Sequence, residues 1–211
     1  MSGPLPQNFA PAATKAVQKL ERVRVLVVDS STQAAELMKN IFVQLGFTNI
    51  MVANDISQSI QIMRYVRVDM IFADWALKIG NTLKSRSGAD PANPFAVSGA
   101  RFIKNLRFSP ASPNPFVPVV MLMDTVTNKE IFNVRDSGVN ELIIKPLEAA
   151  EFCRKIVSVI DHPRMFITAS TYKGPCRRIR LAADFKGEDR RKAQIRLIRR
   201  GEFVPKTRSF S

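Results

Sequence analysis

Three short apolar runs in this chain each end in a charged side chain. The stretch Asp69-Met70-Ile71-Phe72-Ala73-Asp74-Trp75 is apolar from Met70 to Ala73 and then presents Asp74. Arg24-Val25-Leu26-Val27-Val28 runs into Asp29, and Leu142-Ile143-Ile144 runs into Lys145-Pro146. A short apolar run bounded by a charge reads as a buried strand that reaches solvent at its carboxyl end. In an open parallel sheet, sites form outside the carboxyl ends of the strands. Two carboxylates and one ammonium would therefore meet there, and the ammonium could neutralise a carboxylate directly.

The elements that would position these groups follow from periodicity. Val23–Val28 reads as a first strand, and Ser30-Ser31-Thr32 offers N-caps for the helix after it. Apolar residues at Ala34, Leu37, Met38, Ile41, Phe42 and Leu45 make that helix amphipathic, and Gly46 stops it. Asn49–Ala53 is a second strand, with Ile56, Ile60, Met63 and Val66 marking a second helix. The third strand leads to Asp74. Gly99 opens a third helix through Phe102, Ile103 and Leu106, and Pro118–Met123 is a fourth strand. Thr127 and Asn128 can cap a fourth helix, closed at Ser137-Gly138. Leu142–Ile144 is the fifth strand, and Leu147, Ala150, Cys153, Ile156, Val157 and Ile160 mark a fifth helix. Strands alternating with helices predict an α/β fold, a doubly wound five-stranded parallel sheet covered on both faces.

The order of these units, with Val27-Val28-Asp29 after strand one, Asp74 after strand three and Lys145-Pro146 after strand five, resembles the receiver domain of two-component response regulators. Asp136-Ser137-Gly138-Val139-Asn140-Glu141 and Ser98-Gly99 are also similar to receivers. The resemblance covers about residues 22–161. It implies a flavodoxin-like strand order 2-1-3-4-5 and a cis bond between Lys145 and Pro146. It also implies a phospho-acceptor at Asp74, a phosphoryl-binding lysine at Lys145, and Mg²⁺ held by Asp29 and Asp74. The implied phosphodonor is a histidine kinase or phosphotransfer protein, and the implied role is signalling by protein–protein contact rather than catalysis of a metabolic reaction.

Several positions depart from the family pattern. Receivers usually carry two adjacent acids after strand one, and here Ser30 follows Asp29. Asp29, Asp74 and Lys145 alone sum to −1, so Mg²⁺ binding is expected to be weak or absent. Met123 stands where receivers place a Ser or Thr, with Asp124 next to it, and Leu142 stands where they place a mobile aromatic. Asp124 could supply a third carboxylate if it faces the pocket. Twenty-five positions separate Asp74 from Gly99, so residues 78–97 form an insertion near the acceptor edge. The site therefore reads as a degenerate phospho-acceptor.

Composition sets further bounds. The chain has 211 residues, 45% of them hydrophobic, and no apolar run of the ~20 residues a membrane span requires. Residues 1–21 read as a disordered leader without a signal-peptide pattern. Cys153 and Cys176 are the only cysteines, which suits a reduced, cytoplasmic context, and Cys153 falls on the apolar face of the fifth helix. His162, the only histidine, lacks ligand-spaced neighbours. No Gly-rich phosphate loop or nucleophile elbow points to an enzyme.

Charge is distributed unevenly. The formal total is +14, yet residues 163–211 hold fourteen basic and four acidic residues, while residues 21–162 are nearly balanced. A basic C-terminal extension, residues 162–211, implies an anionic partner. Within it an aromatic-Lys-Gly-x-x-Arg-Arg frame occurs twice. It runs from Tyr172 to Arg177-Arg178 and again from Phe185 to Arg190-Arg191, each copy being expected to turn at its glycine. An aromatic beside paired arginines could stack a base and fork onto phosphate, which suits cyclic di-GMP or RNA. The alternative function is thus a phosphorylation-independent adaptor that binds such a ligand through Tyr172, Arg177, Arg178, Phe185, Arg190 and Arg191. Gln194–Arg200 could pair as an edge strand, and truncation after His162 is expected to leave the domain folded.

Overall fold

The computed structural model describes residues 20–77, 99–177 except Val126 and Leu147, and 194–196. Residues 1–19, the 78–97 insertion and most of the basic extension, with Arg178, Phe185, Arg190 and Arg191, lie outside the described residues. The strands are β1 (Arg24–Val28), β2 (Asn49–Ala53), β3 (Met70–Asp74), β4 (Val119–Met123) and β5 (Glu141–Ile144). The helices between and after them are α1 (Thr32–Gln44), α2 (Ile56–Tyr65), α3 (Gly99–Phe108), α4 (Asn128–Ser137) and α5 (Ala149–Asp161). The five strands form one parallel sheet in the order β2-β1-β3-β4-β5.

The alternation of side chains along each strand separates two cores. Leu26, Ile71, Ala73, Val119 and Met121 face α2, α3 and α4, packing with Ile56, Met63, Phe102, Ile103 and Val134. Val25, Val27, Met70, Phe72, Val120 and Leu122 face α1 and α5, packing with Met38, Phe42, Phe152 and Ile156. Four rings centre the second core, with Phe72 lying 4.5 Å from Phe42 and 5.7 Å from Phe152, and Phe47 5.4 Å from Phe42. Because β3 and β4 are covered on both faces, every residue in them is buried. Leu20, assigned to the leader on sequence, is fully buried in this core, so the folded domain begins earlier than residue 22.

The caps match the sequence signals. Ser31 accepts from the Ala34 amide at the start of α1, and Thr127 and Glu130 form a reciprocal capping box at the start of α4. Gly138 ends α4 at φ 98°, a left-handed turn that favours glycine.

The chain does not leave the domain at His162. Phe166–Thr168 (β6) pairs antiparallel with Lys173–Pro175 (β7) and with Gln194–Arg196 (β8), making a second, three-stranded sheet. The expected edge strand near Gln194 is therefore present. The expected turn at Gly174 is not, because Gly174 is the middle of β7. It lies so close to the α4–β5 corner that a Cβ on it would come 2.6 Å from the Gly138 Cα and 2.7 Å from the Tyr172 hydroxyl. The same close approach explains a glycine on both sides.

This docking centres on Arg107, which is 1% exposed. Its guanidinium donates to the carbonyls of Pro115 (2.7 Å), Val117 (2.8 Å) and Gly138 (3.0 and 3.1 Å). Phe166 of β6 covers the guanidinium at 5.4 Å and meets Phe116 edge-on at 4.9 Å. Burial pushes the guanidinium down to about 9, still well above neutral pH, so it stays charged.

Candidate functional site

Four strands each deliver one charged side chain to the carboxyl edge of the sheet. Asp74 is the last residue of β3, while Asp29, Asp124 and Lys145 are the first residues after β1, β4 and β5. The backbone locks this edge together. The amides of Asp29, Trp75 and Lys145 donate to the carbonyls of Ala53, Leu122 and Met123 across neighbouring strands. Lys145–Pro146 is cis, as the family resemblance implies. Asp69, at the start of β3, lies at the opposite edge, where Arg24 grips it at 2.9 and 3.1 Å.

Asp74 is 8% exposed, and its two oxygens are differently engaged. One accepts from the Ala76 amide at 2.7 Å, and the other from Lys145 Nζ at 2.6 Å. Asp29 is 7% exposed and accepts from the Ser31 amide at 2.8 Å. Burial raises the Asp29 carboxyl above its usual range, and the Asp74 and Asp124 charges push the same way. The Ser31 hydrogen bond and the Lys145 charge oppose them without cancelling the rise. For Lys145 burial acts downward, but its hydrogen bond to Asp74 and the charges of Asp74, Asp124 and Asp29 outweigh burial, and the ammonium is raised.

Asp124 proves to face the pocket. Its carboxylate lies 3.4 Å from Lys145 Nζ while its side chain stays 74% exposed. The sequence signal was the one that marked Asp29, Asp74 and Lys145, a charge directly after a buried strand. With Asp124 included, the pocket carries three carboxylates and one ammonium, a formal −2 rather than the −1 counted from three residues.

Gly99 brings the far end of the insertion back to the same edge. Its amide donates to the Trp75 carbonyl at 2.7 Å, and a Cβ there would meet the Asp74 carbonyl at 2.9 Å. Both stems of residues 78–97 thus stand beside Asp74. Met123 is buried and Leu142 half-buried against the helix α2–α4 core, so neither offers a phosphoryl ligand or a mobile ring.

The residues expected to bind a ligand in the extension are placed differently. Tyr172 is 8% exposed, and its hydroxyl donates to the Pro175 carbonyl at 2.6 Å. Arg177 stacks over its ring at 4.3 Å and pairs with Asp136 of α4 at 2.5 Å. The face offered for stacking a base is therefore covered by the chain's own arginine, and these two residues fasten the extension to α4. The second copy of the frame, with Phe185, Arg190 and Arg191, lies outside the described residues.

Similarity to known proteins follows the same boundaries. The chain is 23% identical to the chemotaxis protein CheY-3 of Vibrio cholerae over 141 residues, 67% of this chain and 94% of that relative. It is 24% identical to the chemotaxis protein CheY of Pseudomonas aeruginosa over 139 residues, 66% of this chain and 97% of the relative. Its homologues are CheY-like response-regulator receivers. No protein-family model matches the chain. Among solved structures, a two-component response regulator from Clostridium difficile superimposes with a TM-score of 0.51 at 18% identity, over 67% of this chain and 98% of that one. A CheY-like receiver domain protein from Methanospirillum hungatei superimposes with a TM-score of 0.50 at 15% identity, over 66% and 94%. These structures share the fold. The receiver relatives account for roughly two-thirds of the chain.

Proposed function

We propose that this protein is a cytoplasmic response regulator in a phosphorelay, a receiver that takes a phosphoryl group on Asp74 and signals through protein contacts. The observation that carries the reading is the pairing of buried Asp74 with Lys145 at 2.6 Å, beside Asp29, on the carboxyl edge of a sheet in receiver order. In the transfer, an Asp74 oxygen attacks the phosphorus of a phosphohistidine or acyl phosphate. A P–O bond to Asp74 forms as the donor's N–P or O–P bond breaks, and the donor leaves with the electron pair. Lys145 moves from the carboxylate toward the transferred oxygens and balances their charge.

Among the described residues no three acidic, His or Cys side chains are gathered that could hold a metal ion, so the donor set fits a hard cation poorly. Asp29 and Asp74 supply carboxylate oxygens, and they are the residues that would hold Mg²⁺. When bound, the cation neutralises charge on the transferring phosphoryl oxygens. Ser30 contributes a neutral hydroxyl where a further acid would tighten the site, so binding is weak and transfer slow. Among the described residues, no helix is long and apolar enough to cross a membrane.

Incubation with acetyl phosphate and Mg²⁺, followed by intact-mass measurement, tests the reading. One added phosphoryl group in the parent and none in Asp74→Asn is the expected result. Equal modification of the two proteins, or none in either after prolonged incubation, refutes it.

The charge of the extension supports a second reading, an adaptor for an anionic ligand such as cyclic di-GMP or RNA. Arg178, Arg190, Arg191 and Phe185 are its remaining contacts, since Tyr172 and Arg177 are engaged internally. Arg190→Glu with Arg191→Glu should then weaken binding of labelled RNA or cyclic di-GMP at low salt. Unchanged isotherms for both ligands refute it.

A further inference from the structure

The amino end of the sheet carries an aromatic ring that packs against little. Tyr65, the last residue of α2, is 83% exposed, and Val66 after it is 43% exposed. Among the described residues, no hydrogen bond or ring contact holds Tyr65. Its surroundings are cationic. Arg64 precedes it, is exposed, and pairs with no carboxylate among the described residues. Arg67, two positions on, and Arg24 at the start of β1 converge on Asp69, at 3.5 and 2.9 Å. The Asp69 side chain is only 4% exposed, whereas those of Arg24 and Arg67 are 36% and 34% exposed. One enclosed carboxylate thus serves two guanidiniums, and positive charge is left over at the surface. The start of the extension adds to it. Helix α3 covers the same face of the sheet as α2, and Lys173 of β7 lies over its terminal Phe108 at 5.1 Å. The far end of the sheet holds the carboxylates of Asp29, Asp74 and Asp124, so the domain is electrically polar and draws anions to its amino end.

We propose that this end of the sheet binds single-stranded nucleic acid, with Tyr65 as the platform for an unpaired base and Arg64, Arg67 and Arg24 contacting the phosphates around it. Every base has a π-face, so an exposed ring among cations gives affinity without reading sequence. A guanidinium forks onto phosphate oxygens and is well suited to the backbone. An acidic protein would meet the arginines as well, but the uncovered ring standing between them favours stacked bases. The surface lies at the other end of the sheet from Asp74, so the inference does not depend on phosphoryl transfer. It also stands apart from the adaptor reading, whose contacts lie in the extension beyond Arg177.

Tyr65 is exposed enough that replacing it leaves the fold intact, which urea unfolding of each variant checks. The full chain is titrated into fluorescein-labelled oligo(U) and oligo(dT) of about twelve nucleotides, within the ~4–16 that one small binding domain covers, and read by fluorescence anisotropy. A labelled duplex of equal length is measured alongside. Tyr65→Ala should weaken single-strand binding about five- to a hundredfold, the range for one lost base stack, while Tyr65→Phe keeps the ring and stays within about twofold of the parent. Arg64→Ala should lower affinity about fivefold near 0.1 M salt and cut the slope of log affinity against log salt by about 0.7, as the loss of one phosphate contact requires. The duplex should bind more weakly and be indifferent to Tyr65. The two oligonucleotides differ in the sugar, so a loss in Tyr65→Ala with either supports the proposal, and its size in each shows which strand the site prefers. A parent that binds neither strand overturns the proposal, as does a Tyr65→Ala variant that binds like the parent or a duplex bound as tightly as the single strand. Arg190→Glu with Arg191→Glu separates the two surfaces. If that variant loses binding while Tyr65→Ala keeps it, the ligand belongs to the extension, and this inference fails while the adaptor reading stands. If Tyr65→Ala loses binding while that variant keeps it, the reverse holds, and loss in both supports both.

Discussion

Replacing Arg107 by Met should cost about 2–5 kcal/mol of folding stability, and the structure shows where that figure arises. The guanidinium satisfies three backbone carbonyls, those of Pro115, Val117 and Gly138, with four hydrogen bonds of 2.7–3.1 Å. Its contact with Asn140 at 3.4 Å is too long to add much. Leaving a buried acceptor unpaired costs roughly 1–3 kcal/mol, so three give about 3–9 kcal/mol. Stacking against Phe166 adds about 1 kcal/mol. Against this, Met removes a charge whose burial itself costs several kcal/mol, which brings the net down to the stated range. Arg107→Lys should recover only part of the loss, since three ammonium donors at one point cannot span acceptors laid out for a planar fork. Urea unfolding followed by Trp75 fluorescence and by far-ultraviolet circular dichroism measures the change. Marginal domains hold ~5–15 kcal/mol, so Arg107→Met should remain measurable at low temperature. A loss below about 1 kcal/mol would mean that water reaches those carbonyls, and the account of the corner as a dry clamp would be wrong.

Three further outcomes follow from the same geometry. Truncation after His162, which sequence reading treats as harmless, should destabilise the domain by about 3–5 kcal/mol, the usual cost of emptying sites such as those of Phe166 and Tyr172; an unchanged urea midpoint would refute the docking. Gly174→Ala should lower the melting temperature by about 3–10 °C, since an overpacked methyl costs ~1–3 kcal/mol and its nearest neighbour is backbone; a melt equal to the parent's would show that the two sheets do not approach as described. Asp29→Asn should stabilise the protein at pH 7 and not near pH 4. The folded-state Asp29 carboxyl is raised above its unfolded value, so its contribution to stability is full below the unfolded value and is lost as pH rises through the folded one. Urea midpoints at the two pH values test this, and a loss of stability at pH 7 would contradict it.

The parallel sheet was legible because its signal is redundant. Each buried strand is an apolar run of four or five residues, each intervening helix has an amphipathic stripe, and four of the strand ends carry the charges that meet. Boundaries shifted by only a residue, as with Glu141 joining β5 and Val66 leaving α2. Arg107 was missed although it sits four residues after Ile103, on the apolar stripe with Phe102 and Leu106. An arginine in that register signals a buried guanidinium, but only if backbone carbonyls are there to receive it. Those carbonyls come from Pro115, Val117 and Gly138, which no local pattern ties to α3. The direction of Asp124 was equally invisible, because a residue just beyond a strand can face the pocket or solvent. The docking of the extension was not legible either, since Phe166, Ile167 and Tyr172 are buried near the Gly138 corner in a long-range fit with no period to announce it.

The charged pocket and the docked start of the extension lie at opposite ends of the sheet. Asp74, Asp124 and Lys145 crown the carboxyl edge, while the extension fastens at Phe116, Asp136, Gly138 and Asn140, which precede β4 and β5. A strand advances about 3.3 Å per residue, so the ends of the four-residue β5 are separated by roughly 10–13 Å. One element touches both ends. Helix α4 begins at the Thr127 cap, three residues after Asp124, and finishes where Arg177 pairs with Asp136 and where Gly138 meets β7. The far turn of that helix is pinned by the extension. Arg177→Ala should loosen that pin without touching the pocket, giving faster amide exchange in Arg135–Val139 while Mg²⁺ affinity stays at the parent value. Altered Mg²⁺ affinity in Arg177→Ala would mean that the two ends are coupled even without a phosphoryl group. Unchanged exchange would mean that the Asp136 pair is a surface contact of little consequence, as most exposed ion pairs are.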